Sequence, residues 1–274
     1  MSSTIGRSFM LAAGLVCGLV PHASADVITV DDDLADLPTA DFTLLQDAID
    51  AAVSGDEIVI YPGTYEEDLA VNGKVLTIRS TDPSDPAIVD ATDIEPSDIT
   101  FGFRVGESNP ASTVVTLQGL KFTRFNGNSR AGVRGFAGST LIVEDCIFTG
   151  FGDFPIGTVG SNSGGIRFDG NGRASRCAFI NNESIGVLIT STSDGIVIED
   201  CTFTGGRFSN IDLEGAIDTT IRRSTFGPSA RNEAQPAIVV SSSDGTQISD
   251  CTFIDCVSST TGSATDGGRS DPVL

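Results

Sequence analysis

Residues 193–203 read SDGIVIEDCTF and residues 243–253 read SDGTQISDCTF, identical at eight of eleven positions and offset by 50 residues. Weaker copies surround them: VTLQGLKF at 115–122, LIVEDCIF at 141–148, GRASRCAF at 172–179 and DTTIRRSTF at 218–226. The repeating unit is therefore about 25 residues long. A fixed period of that size specifies a solenoid, in which each unit buries its apolar face only by stacking on its neighbours.

Each unit holds two strand groups. One is a short run, often with Gly: GVRGF at 132–136, GGIRFDG at 164–170, GVLITS at 186–191, NIDLEG at 210–215 and AIVVSS at 237–242. The other ends in Cys-x-Phe. Asn, Gly and Ser corners separate them, and no helical periodicity follows residue 54. Short strands, such corners and a 25-residue period predict an all-β, right-handed parallel β-helix of about eight coils over 57–256. Leucine-rich repeats of similar period need a leucine consensus that is absent here. A β-sandwich would have no cause to carry near-identical copies. In a β-helix equivalent positions become neighbours at roughly 4.8 Å. Phe122, Phe148, Phe179, Phe203, Phe226 and Phe253 then form one interior stack, and Leu120, Cys146, Cys177, Cys201, Ser224 and Cys251 a second.

The front of the chain is different. Arg7, the apolar run Phe9–Val20 and Ala23-Ser24-Ala25 read as a signal peptide over 1–25, with no lipobox at Cys17. No later segment has the roughly 20 apolar residues of a membrane helix. The expected location is secreted or cell-envelope. Residues 26–56 should form an N-terminal strand, VITV, and an amphipathic helix. Thr43 and Gln46 have capping-box spacing, and Leu45, Ala48, Ile49, Ala52 and Val53 share a face. That face needs a partner and the open end of a solenoid core needs a lid, so the helix is expected to cap the first coil. EIVIYPGTY, KVLTIRS and AIVDA (87–91) read as strands. Residues 257–274 are expected to be a disordered tail. With Phe253 otherwise uncovered, weak self-association through the C-terminal end is expected.

The sole histidine, His22, leaves with the signal. The remaining chain therefore has no imidazole for nucleophile activation or for an ordinary zinc site. It carries 15 basic and 37 acidic residues, a net of −22, with −17 of it in residues 26–100. Such a field excludes nucleic acid and anionic lipid as partners. Asp31-Asp32-Asp33 are read as solubilising, since no calcium-loop spacing surrounds them. Five cysteines remain, an odd number, and their place in the repeat makes them small buried apolar residues rather than disulfide partners. The residue before each Cys-column position alternates in sign (Asp145, Arg176, Asp200, Arg223, Asp250), which predicts a cross-strand charge ladder.

The segment FTLLQDAIDAAVSGDEIVIYPGTYEEDLAVNGKVLTIRS resembles the opening of exported right-handed β-helix proteins of the pectin-lyase-like superfamily, with its amphipathic helix, PGTY strand end and LTIR strand. The resemblance covers most of 27–256 and implies the fold, on which many activities are built. Polysaccharide lyases of this superfamily use Arg or Lys as base and acidic residues to hold Ca²⁺. Here the strand alternation puts Ile166, Phe168, Ile211 and Leu213 inward. Arg134, Arg167, Asp169, Asp212 and Glu214 then share one solvent-facing sheet and are the candidate binding residues. The resemblance makes Arg167 the catalytic candidate and Asp169, Asp212 and Glu214 the metal candidates. The hydrolase, esterase and pectate-lyase motifs of the superfamily are absent, and no Trp is present. The reading is therefore an exported non-catalytic β-helix, a surface, adhesive or glycan-binding element with polysaccharide as partner and no required cofactor. The alternatives are a Ca-dependent uronate lyase and a module of a larger extracellular assembly.

Overall fold

The computed structural model describes residues 25–96, 101–123, 131–151, 164–182, 184–206, 209–228 and 236–256. The signal segment, most of an insertion at 149–162 and the tail from 257 lie outside the described residues. Every strand pairing is parallel and joins one coil to the next, which makes the chain a parallel β-helix. Among the described residues its three sheets hold nine, eight and seven strands. The seven-stranded sheet limits the complete turns to about seven, one fewer than the sequence period suggested.

Register follows the repeat. Phe122, Phe148, Phe179, Phe203 and Phe226 are aligned across the eight-stranded sheet and buried. Their rings, with Phe253, stack in series at 4.6–5.1 Å with planes within 12°. The stack explains the glycines that open the other strand group. A Cβ at Gly165 would stand 3.1 Å from Phe179 Cδ1, and one at Gly186 would stand 3.1 Å from Phe203 and 2.6 Å from the Asn210 carbonyl. Beside the rings run the thiols. Cys146, Cys177 and Cys201 are buried and Cys251 is half-buried, all free. Each Sγ reaches a carbonyl two residues earlier, at 3.2–3.4 Å. Burial pushes the Cys146 thiol up to about 12, and burial together with the neighbouring Cys201 thiol raises Cys177 as well.

The alternating residues stand at the corner between two sheets, and each adopts a left-handed conformation: φ is 55° at Asp145, 54° at Arg176, 55° at Asp200, 49° at Arg223 and 54° at Asp250. The corner is kept because the backbone N–H of the first four meets a carbonyl of the next coil: Asp145 to Ser175, Arg176 to Glu199, Asp200 to Arg222 and Arg223 to Ser249. The charges form discrete pairs rather than a continuous ladder. Arg176 clasps Asp145, and Arg223 clasps Asp200 and also reaches Glu199. Each arginine reaches toward the coil that precedes it.

Helix α1 (Leu45–Ala51) lies on the first coil with Leu45, Ala48 and Ile49 buried, as a lid should. Its capping differs from the expectation. Thr43 and Gln46 form no capping box; the amides of Leu45 and Gln46 donate to Glu67 Oε1 and Oε2 at 2.7 and 3.0 Å. Gln46 is engaged elsewhere. Its Oε1 accepts from Ala70 N at 2.8 Å and its Nε2 donates to Ala70 O at 3.3 Å. The side-chain amide thus imitates a neighbouring strand for Leu69–Val71, which ends the seven-stranded sheet. Val53 is exposed, because the helix stops two residues before it. AIVDA (87–91) departs from the strand expectation as well. It lies in helix α2 (Pro86–Ala91), not in a strand. Asp85 accepts from Ala87 N at 2.9 Å as N-cap, and Pro86 occupies the first helical turn, where its missing N–H costs nothing. No helix among the described residues is long and apolar enough to cross a membrane.

Candidate functional site

The seven-stranded sheet carries the candidate residues on its outer face. Inward positions Phe103, Val133, Ile166, Val187, Ile211 and Leu213 are fully buried, so their strand neighbours point away from the core. The register aligns Arg104, Arg134, Arg167, Leu188 and Asp212 in one row across successive coils. A second row carries Thr190 and Glu214, with Asp169 following Phe168 on the coil before. Arg167 and Asp212 are therefore two coils apart with Leu188 between them, as the sequence pattern required.

Asp169 is the centre of this face. Its carboxylate is 7 % exposed. Oδ2 accepts from Arg134 Nε at 2.6 Å, and Oδ1 accepts from Arg167 Nε at 2.9 Å and from Thr190 Oγ1 at 2.8 Å. The backbone holds it in place: Asp169 N donates to Gly135 O at 2.8 Å and Thr192 Oγ1 donates to Asp169 O at 2.6 Å. The Arg134 guanidinium carbon also lies 4.1 Å from the Phe136 ring centroid. Two arginines, a hydroxyl and one carboxylate thus form a charge-assisted knot that holds both guanidinium groups.

Two members of the face were not singled out from sequence. Arg104 extends the row by one coil, with a loose contact of 3.7 Å to Glu107. Its signal was present, since FGFRV at 101–105 alternates as GGIRF does at 164–168. Thr190 supplies the hydroxyl that completes Asp169.

Asp212 and Glu214 form a separate group. Asp212 is half-buried, and its Oδ1 is buried with no hydrogen-bond partner among the described residues. Burial and the neighbouring Glu214 carboxylate push Asp212 up to about 6. Glu214 is exposed. Asp169, Asp212 and Glu214 do not converge. Among the described residues, the carboxylates close enough to share one cation are those of Asp31, Asp32 and Asp33. Those three hold turns together. Asp31 accepts from Leu34 N and Leu37 N, Asp32 from Thr64 N at 3.0 Å and Asp33 from Ala35 N at 2.8 Å. The donor set around Asp169 likewise does not fit a calcium ion, because both its oxygens are held by guanidinium and hydroxyl hydrogens.

The family model described as the right-handed beta helix region matches residues 97–271. No curated protein matches the chain. Among solved structures, the pectin methylesterase of Aspergillus niger in deglycosylated form is similar over 92 % of this chain and 93 % of its own, at 15 % identity and a TM-score of 0.54. A rhamnogalacturonan lyase is similar over 84 % of this chain and 62 % of its own, at 15 % identity and a TM-score of 0.50. At such identity the likeness is one of fold.

Proposed function

The chain belongs to the right-handed β-helix family, and on that premise we propose that it is an exported, non-catalytic carbohydrate-binding element. Its contact face is the row Arg104, Arg134 and Arg167 together with Asp212 and Glu214. The observation that carries this reading is the Asp169 knot. A base must give up its proton, yet Arg167 donates Nε–H to a carboxylate that is itself almost fully buried. That contact commits the Arg167 side chain to a donor role toward Asp169. Arginines fixed by a buried carboxylate suit planar recognition of ligand carboxylates. Asp212 and Glu214, farther along the same face, offer acceptors to sugar hydroxyls. A polysaccharide bearing uronate carboxylates is thus the ligand class that fits the row, which lies in residues 101–274, where the net charge is −5 against −17 for residues 26–100. The names of the two solved neighbours make pectin and rhamnogalacturonan the first ligands to try.

The test is binding and turnover measured on the same preparation. The protein should be retained on immobilised pectin or polyuronate and release no unsaturated ends, with or without Ca²⁺. Arg104→Gln leaves the Asp169 knot intact and should weaken retention, as should joint neutralisation of Asp212 and Glu214. Ca²⁺-dependent release of ultraviolet-absorbing ends, lost in Arg167→Ala, would overturn the proposal and establish the lyase alternative. Retention unchanged in Arg104→Gln would remove the row as the contact face.

A further inference from the structure

Arg134 and Arg167 both close on Asp169, with Nε at 2.6 and 2.9 Å from its carboxylate. Arg104, the next arginine of the row, does not. Its Nε is buried and has no hydrogen-bond partner among the described residues. The carboxylate it faces is that of Glu107, at 3.7 Å, beyond hydrogen-bond reach. Glu107 is 45 % exposed, so this pair holds its arginine only loosely. The register shows why Arg104 is left over. Asp169 stands two residues beyond Arg167, and Arg167 is the register partner of Arg134. For Arg104 the equivalent places are Gly106 on its own coil and Phe136 on the next. Gly106 leaves no room for an acidic side chain: its φ is 79° and a Cβ would stand 2.5 Å from Ser139 Cβ. Phe136 is engaged by Arg134, whose guanidinium carbon lies 4.1 Å from the ring centroid. On the coil before, the register partner is Ala70, whose methyl group offers no polar contact.

We propose that Arg104 is the subsite for an acid group of the ligand, and that Glu107 stands in for that group until the ligand displaces it. On the carbohydrate-binding reading, from which this assignment follows, the acid group is the carboxylate of a uronate unit. A carboxylate laid side-on along Nε and a terminal nitrogen makes two parallel charge-assisted hydrogen bonds, which Glu107 at 3.7 Å does not. A buried donor without a partner is costly, so the ligand that supplies the partner recovers that cost on binding. The three arginines then divide the work. Arg134 and Arg167 spend one edge on Asp169, which holds them in place. Arg104 keeps its pairing capacity for the ligand and selects an acid unit over a neutral one. A methyl-esterified unit, with no charge to offer, gains little there.

NMR of the arginine Nε–H groups tests this, the Arg104 signal being the one that disappears in Arg104→Lys. The probes are trigalacturonate, its fully methyl-esterified form and inorganic sulfate. Trigalacturonate should shift the Arg104 signal and the ester should not. Arg104→Lys should weaken trigalacturonate binding about tenfold, because an ammonium cannot make the paired contact. Glu107→Gln should tighten it about two- to fivefold by removing a competing charge. A Glu107 with a merely structural role would leave affinity unchanged. Trigalacturonate bound with the Arg104 signal unmoved, and equally well by both variants, would overturn the subsite and leave the carbohydrate reading standing. A sulfate-induced shift at Arg104, strengthened by Glu107→Gln and with neither saccharide bound, would keep the subsite and remove the carbohydrate reading. Equal affinity for acid and ester would overturn Arg104 as the selecting group, and no response to any probe would overturn both.

Discussion

Arg176 lays its guanidinium on the Asp145 carboxylate one coil back, Nε to Oδ1 at 2.7 Å and the terminal nitrogen to Oδ2 at 2.8 Å. Both residues sit at positive φ on the same corner, so the pair joins two backbone positions that are individually strained. Arg176→Asp would put three carboxylates in line, Asp145, the new one and Asp200. The expected loss is about 1 kcal/mol at low salt, as for a half-exposed cross-strand pair exchanged for repulsion. The denaturant midpoint should recover as salt is added. Asp250→Asn should change the midpoint little, because Arg223 reaches to Asp200 and Glu199 instead. Equal effects of the two substitutions would restore a continuous ladder.

The thiol column predicts an order of reactivity. The five free cysteines should all titrate in unreduced, denatured protein. In the native state Cys251 and Cys256 should react first. Cys146, buried and with its thiol pushed up to about 12, should stay inert until the chain unfolds. A missing thiol in the denatured titration would mean a bridge and would break the column.

The ring stack should dominate core stability. Phe203 is fully buried and stacked on both sides, at 4.6 Å from Phe179 and 4.9 Å from Phe226. Phe203→Ala should cost about 3–5 kcal/mol, from lost burial and the cavity left behind. Phe253→Ala, at an exposed ring with one ring neighbour among the described residues, should cost clearly less. Chemical denaturation of both variants measures the difference.

Asp212 gives a pH dependence whose sign follows from its environment. Burial and Glu214 raise its folded value to about 6, above the unfolded carboxylate near 3.9. The folded state then binds the proton more tightly. The stability so linked is fully present below about pH 4 and is lost as pH rises through 6. Asp212→Asn should therefore stabilise the protein at pH 7, on the order of 1 kcal/mol once solvent screening is allowed for, and make no difference at pH 4. Parallel unfolding curves for the two proteins from pH 4 to 7 would contradict the assignment.

Much of this architecture is legible in the chain because a period acts at every coil. The Phe and Cys columns could be placed from spacing alone, and alternation around Ile166 and Leu213 was enough to bring Arg134, Arg167 and Asp169 to one face. What spacing does not carry is the direction in which a side chain reaches. Alternating signs at the corner look the same whether each arginine bridges both neighbours or only one. The arginines choose the preceding coil. Local signals misled where a distant group competed for the same hydrogens. Thr43 and Gln46 have the right spacing for a cap, but Glu67 arrives from the first coil and Gln46 serves Ala70. AIVDA has strand composition, yet Asp85-Pro86 starts a helical turn. Arg104 was missed because it precedes the well-formed repeats, although FGFRV carries their alternation.

The left-handed corner has a bearing on how such a chain can change. The same turn is made by Gly119, by aspartate at 145, 200 and 250, and by arginine at 176 and 223, while the position that follows each stays a small or apolar side chain aimed into the core. Shape is specified by one column and charge by its neighbour. Substitution at the corner can then rewrite the electrostatic face of a coil while leaving its packing unaltered, so the outer surface of this scaffold is free to diverge between relatives that share hardly any sequence.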